Sequence, residues 1–154
     1  MTAIIFPGQG SQYVNMSMDF NENFDVARKV FQEIEDSTQI NIRKIIVENP
    51  LGNLNQTNYT QISIFSASMA IYKSLLSVFG NEIIQPKILL GHSLGEYSAL
   101  VAGNLINITD ASKLIKKRGE LMHSSIKPNV SGMAAIIGKN ADFIDDVVKK
   151  NNLK

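Results

Sequence analysis

Cysteine is absent from the 154 residues, which excludes disulfides, thiolate metal sites and a cysteine nucleophile. Neither sign of charge prevails: a formal net charge of +1 gives no global attraction to nucleic acid or to an anionic membrane. The most apolar stretch, residues 62–79, is interrupted by Ser63, Ser66, Ser68, Lys73 and Ser74. A spanning helix needs ~20 nearly uninterrupted apolar residues, so this stretch is expected to be a buried core helix instead. The first residues, Met1 to Gly8, lack the basic region and long apolar run of a secretory signal. Internal repeats, low-complexity tracts and recognisable linkers are missing as well. What is present is 44% hydrophobic and 19% charged, the balance of a globular domain and not of a disordered chain. A soluble, cytoplasmic protein is expected.

Residues 3–6 form a short apolar run stopped by Pro7-Gly8, the pattern of a buried strand entering a tight loop. Phe24, Ala27, Phe31 and Ile34 recur at helical spacing with Val30 beside them, predicting an amphipathic helix over 23–37. Thr60 is expected to cap a long helix over 61–79 that Gly80 ends. Residues 87–90 read as a second strand running into Gly91, and residues 94–102 as a helix closed by Gly103. A further helix is expected from Thr109-Asp110 to about Ser125, a third strand over 133–137, and a helix over 141–150. Strands separated by helices predict an α/β protein with a largely parallel sheet. Three strands would leave that sheet thin, with exposed edges.

Gly91-x-Ser93-x-Gly95 lies between a predicted strand and a predicted helix, the context that makes the pattern a nucleophile elbow. The two glycines permit the sharp turn that presents the serine, and the helix from Leu94 aims its free N–H groups at a reacting carbonyl. A second loop, Pro7-Gly8-Gln9-Gly10-Ser11-Gln12, also follows a strand. The N–H of Gln9 can serve there as an oxyanion donor beside that of Leu94. It is not a dinucleotide fingerprint, because the third glycine and the later acidic residue are not in place. On the helix over 110–125, Ala111, Leu114, Ile115, Leu121 and Met122 define an apolar stripe, and Arg118 falls near its middle. An inward arginine needs an anion. It either pairs with an acid elsewhere in the fold or waits, as a guanidinium fork, for the carboxylate of a substrate such as a malonyl group. Lys113, Lys116, Lys117 and Glu120 lie on the opposite, solvated face.

A serine nucleophile needs a base, usually histidine. The chain has two histidines. His92 adjoins Ser93, so its ring is expected to point away, packed and hydrogen-bonded behind the elbow. His123, ~140° around the helix from Arg118, is expected to be exposed among the lysines. Neither fits the role.

The segments Phe6-Pro7-Gly8-Gln9-Gly10-Ser11-Gln12, Gly91 to Leu100, Arg118-Gly119 and Gly132 to Gly138 occur in an order that resembles the bacterial malonyl-CoA:acyl carrier protein transacylases. The related acyltransferase domains of fatty acid and polyketide synthases share it. The resemblance spans the chain. It implies Ser93 as catalytic nucleophile, an oxyanion hole from the N–H groups of Gln9 and Leu94, and Arg118 as the group binding the substrate carboxylate. It further implies ping-pong transfer of malonyl from malonyl-CoA to the phosphopantetheine thiol of acyl carrier protein, in fatty acid biosynthesis. No metal, cofactor, nucleic acid or membrane partner is expected, and the complete protein is expected to be a monomer. By the same resemblance the fold is a partial α/β-hydrolase-like core over 1–128, with the beginning of an inserted ferredoxin-like subdomain over 129–154. The base histidine would lie downstream of Lys154, so the chain is similar to an N-terminal fragment, expected to show negligible turnover alone. Where the family usually carries Gly-Met-Gly this chain has Asn15-Met16-Ser17, and Ile62 stands where a proline is common. A serine esterase or thioesterase on the same elbow, and a non-catalytic truncated product, remain the alternatives at this stage.

Overall fold

The computed structural model describes residues 2–125 and 136–151. Two short strands, β1 (Ala3–Phe6) and β2 (Ile88–Gly91), pair in parallel with Ala3 opposite Ile88 and Phe6 opposite Gly91. Parallel pairing requires a crossover. Here it is helical throughout: α1 (Met18–Asn23), α2 (Asp25–Thr38), α3 (Ile42–Glu48), a 3-10 turn over Pro50–Asn55, and α4 (Thr57–Ile83). After β2 come α5 (Gly95–Ala102), α6 (Ile108–Ser124) and α7 (Ala141–Lys150). The result is a mostly helical α/β arrangement on a small parallel sheet. Of the third apolar run, Met133 to Ala135 lie outside the described residues, and Ile136 and Ile137 are exposed and outside any strand.

Helix α4 is the centre of the packing. It lies against α2 and α6, and residues 60–70 are buried without interruption. It is long and apolar enough to cross a membrane by length and composition, yet most of that stretch is enclosed by the rest of the chain, as the interrupting serines predict. Two of those serines bond within the helix, Ser66 donating to the Ile62 carbonyl and Ser74 to that of Ala70, both at 2.8 Å, whereas the buried Ser63 hydroxyl has no partner among the described residues. Phe31 and Ile34 from α2, Ile42 and Ile46 from α3, Phe65 and Met69 from α4, and Ile115 from α6 are fully buried in one core.

Two expected boundaries are corrected. Thr60 is not a cap; it lies inside α4, where its hydroxyl donates to the carbonyls of Leu54 at 2.7 Å and Gln56 at 2.9 Å, stitching the 3-10 turn to the helix. The cap of α6 is Asn107, whose side chain accepts from the Asp110 N–H at 2.7 Å. Gly80 does interrupt α4, with φ 75°, but one more short turn follows before β2. The Asn15-Met16-Ser17 turn keeps left-handed backbone at both ends, φ 67° at Asn15 and 57° at Ser17.

The described residues cover one face of the sheet. Ile4, Phe6 and Leu89 point into the helical layer, with Phe6 packed edge-on against Tyr72 at 5.8 Å between ring centres. Ile5, Ile88 and Leu90, on the other face, are largely exposed. The covered layer is what holds the ends of β1 and β2 against α5.

Candidate active site

The site forms where both strands end. Ser93 lies two residues beyond the end of β2 and holds φ 56°, a left-handed backbone that a serine adopts only when its surroundings impose it. Those surroundings are the two flanking glycines. A Cβ on Gly91 would collide with the backbone of Gly95 and Glu96, and one on Gly95 with the carbonyls of Phe6 and Pro7. The elbow is therefore pressed against the end of β1, and the turn places Ser93 exposed at the start of α5.

The loop after β1 comes to the same place. Gly8 is buried beneath His92, and the His92 N–H donates to the Phe6 carbonyl at 3.0 Å. Side chains tie this loop to the start of α4 and the end of the 3-10 turn: Gln9 Nε2 donates to Thr57 Oγ1 and Gln12 Nε2 to Asn55 Oδ1, each at 3.2 Å. Among the described residues, the backbone N–H groups of Gln9 and Leu94 meet no acceptor; Gln9 is exposed, whereas Leu94 is fully buried behind the elbow.

Arg118 reaches this point from α6. Its Nη2 donates to Ser93 Oγ at 3.0 Å, and its Nη1 to the amide oxygen of Gln61 on α4. No carboxylate pairs with Arg118 among the described residues. Of the two partners that sequence periodicity left open, an internal acid is thus not the one observed. The stripe itself needs correction. The buried positions of α6 are Ile108, Ala111, Ser112, Ile115 and Gly119, while Leu114, Leu121 and Met122 are largely exposed. Arg118 therefore sits half-buried at the margin of the contact face, not at its middle. Gly119 accounts for the shift: a Cβ there would lie 3.0 Å from the Asn58 Cα, so α6 comes close to the backbone at the start of α4 beside Arg118.

The histidines behave unequally. His123 is exposed, as expected. His92 rests on Gly8 but is exposed, and its ring makes no hydrogen bond among the described residues, in place of the packed and bonded residue expected. Neither histidine contacts the Ser93 hydroxyl. Lys113, Lys117 and Glu120 are exposed, whereas Lys116 is engaged by the Thr38 carbonyl at 2.9 Å.

Sequence reasoning missed Gln61. The signal was available: Gln61 is in line with Phe65 and Met69 at spacings of four and eight, so a polar amide shares the most buried stripe of α4.

Comparison with known proteins gives these features a common setting. The acyl transferase domain family matches residues 3–150. The malonyl CoA-acyl carrier protein transacylase of Staphylococcus aureus (strain MRSA252) is 36% identical over 148 residues, covering 96% of this chain and 46% of the relative. An acyl carrier protein S-malonyltransferase from Vibrio cholerae superposes with a TM-score of 0.84 at 37% identity, over 97% of this chain and 48% of that one. A malonyl-transacylase solved in complex with a type II PKS acyl-carrier protein superposes with a TM-score of 0.85 at 35% identity, over 97% and 47% of the two chains. The chain thus spans about half the length of the relatives it matches. Since the family match runs through both strands, the elbow and the Arg118 helix, the chain belongs to the acyl transferase domain family, alongside the malonyl-CoA:acyl carrier protein transacylases.

Proposed function

We propose that this chain carries the acyl-loading part of a malonyl-CoA:acyl carrier protein transacylase. Ser93 Oγ would attack the thioester carbonyl of malonyl-CoA, and the N–H groups of Gln9 and Leu94 would receive the oxyanion. The carbon–sulfur bond breaks, CoA leaves as the thiol with the serine's proton, and the malonyl group remains on Ser93 as an ester. The phosphopantetheine thiol of acyl carrier protein then attacks that ester and regenerates the serine. Arg118 would hold the free carboxylate of the malonyl group throughout.

One observation carries this reading: a guanidinium with no acidic partner among the described residues lies within hydrogen-bond distance of the elbow serine. A hydrolase acting on simple acyl esters has no use for that cation. In this proposal, residues 1–128 are the N-terminal part of an α/β-hydrolase-like core and residues 129–154 begin a ferredoxin-like subdomain. In keeping with the second assignment, α7 buries none of its residues. The setting proposed is the cytoplasm.

Because neither histidine touches Ser93, the chain by itself is expected to turn over negligibly, and a small base in solution should substitute. Incubation with malonyl-CoA and imidazole should place one malonyl group on Ser93, detected by peptide mass spectrometry and absent in Ser93→Ala. Adding holo acyl carrier protein should move the label to the carrier. Release of free malonate with no carrier-bound product would instead establish a hydrolase, and rapid transfer without imidazole would show that the base lies within the chain.

A further inference from the structure

Among the described residues, Gln61 is the one large polar side chain at 0% exposure, and both halves of its amide are committed. Its oxygen accepts from Arg118 Nη1 and its nitrogen donates to the thioether of Met122 at 3.2 Å. The amide cannot be turned around, because a guanidinium only donates and a thioether only accepts. Arg118 and Met122 are four positions apart on α6, so one amide grips one face of that helix at two points. A guanidinium is planar and rigid. Fixing Nη1 on Gln61 therefore sets the direction of Nη2, which is the nitrogen that meets Ser93 Oγ at 3.0 Å.

The choice of glutamine has an electrostatic meaning. A glutamate in the same position would hold the guanidinium equally well, but it would also neutralise it. A neutral amide supplies orientation and leaves the positive charge unspent beside the nucleophile. We infer that Gln61 is the positioning residue for Arg118 and that its neutrality sets the preference for acyl groups bearing a free carboxylate over plain acyl groups. This rests on the reading of Ser93 and Arg118 given above.

Two measurements on the 154-residue chain separate the inference from that reading. In the first, nitrogen-15 side-chain spectra of the wild type should show distinct, slowly exchanging Nη signals for Arg118, which merge in Gln61→Leu. This readout needs no ligand. In the second, the wild type should bind malonyl-CoA more tightly than acetyl-CoA. Gln61→Glu should lower that ratio about tenfold, the scale of one charge-assisted contact, while acetyl-CoA affinity stays unchanged. Gln61→Glu keeps the size of the side chain and places an acid against the arginine, so it guards against a Gln61→Leu variant that fails to fold. An unchanged ratio in Gln61→Glu, or unchanged Arg118 signals in a folded Gln61→Leu, overturns the inference. Equal binding of the two thioesters by the wild type, with Arg118 signals that still respond to Gln61→Leu, overturns the substrate reading and leaves the positioning contact standing.

Discussion

Ser93 and Ser17 both hold a left-handed backbone, and chemistry distinguishes them. At Ser93 the conformation presents a hydroxyl to Arg118 at the mouth of an elbow. At Ser17 the hydroxyl is buried with no hydrogen-bond partner among the described residues, and it does not cap the helix that follows. The strain therefore has a use at one serine and none at the other. Ser17→Gly removes both the left-handed penalty and the stranded hydroxyl. It is expected to raise the unfolding free energy by about 1 kcal/mol, read from urea titration. Ser93 was legible in the sequence because every determinant is local: a strand, two glycines and a helix start within ten residues. For Gln61 the sequence shows only a polar amide on a buried stripe; its role depends on α6, which is distant in sequence.

At the scale of elements, α4 and α6 decide where the cation goes. Their backbones come close at Gly119, where a Cβ would lie 3.0 Å from the Asn58 Cα and 3.3 Å from the Thr57 carbonyl. Backbone cannot yield as a side-chain tip does. Gly119→Ala should push α6 outward, lower stability by about 1–3 kcal/mol and weaken malonyl-CoA binding more than acetyl-CoA binding. Thermal unfolding and a binding titration would check both parts; equal weakening of the two ligands would show that the helix shift does not reach Arg118. The same crossing explains why periodicity located the right helix and misjudged its face. A 3.6-residue pattern counts apolar side chains and is blind to a glycine used as a contact point, so it puts Leu121 and Met122 on the contact face and leaves Gly119 off it. Helix α3 and the 3-10 turn escaped for another reason. Ile42, Ile45 and Ile46 give too short a pattern, and the chain around Asn49, Leu51 and Gly52 turns through left-handed backbone that no periodicity describes. Helix α4, by contrast, was plain from its length and its apolar run.

Over the whole molecule, Tyr72 joins the layers. Its ring meets Phe6 of β1, and its hydroxyl approaches the Ala102 carbonyl of α5 at 3.4 Å. Burial raises its pKa above the ordinary 10.0, so the folded chain keeps the phenolic proton at pH values where the unfolded chain has lost it. Its contribution is complete below pH ~10 and is lost as pH rises through the folded value. Urea midpoints from about pH 9 to about pH 11 should fall more steeply for the wild type than for Tyr72→Phe. Parallel slopes would show that Tyr72 ionises as freely folded as unfolded.

The register of the sheet, Ala3 against Ile88, also has a consequence in time. On a ribosome adding ~5–20 residues per second, β1 emerges first and waits on the order of ten seconds for its partner. Helices α2 and α4 need no such partner and can close around each other meanwhile, because local contacts form before distant ones. The left-handed turn at Ser93 is imposed only when Gly95 is pressed onto the end of β1, and Arg118 is synthesised later still. The nucleophile and its cation are thus among the last features to be assembled, on a helical platform already built to receive them.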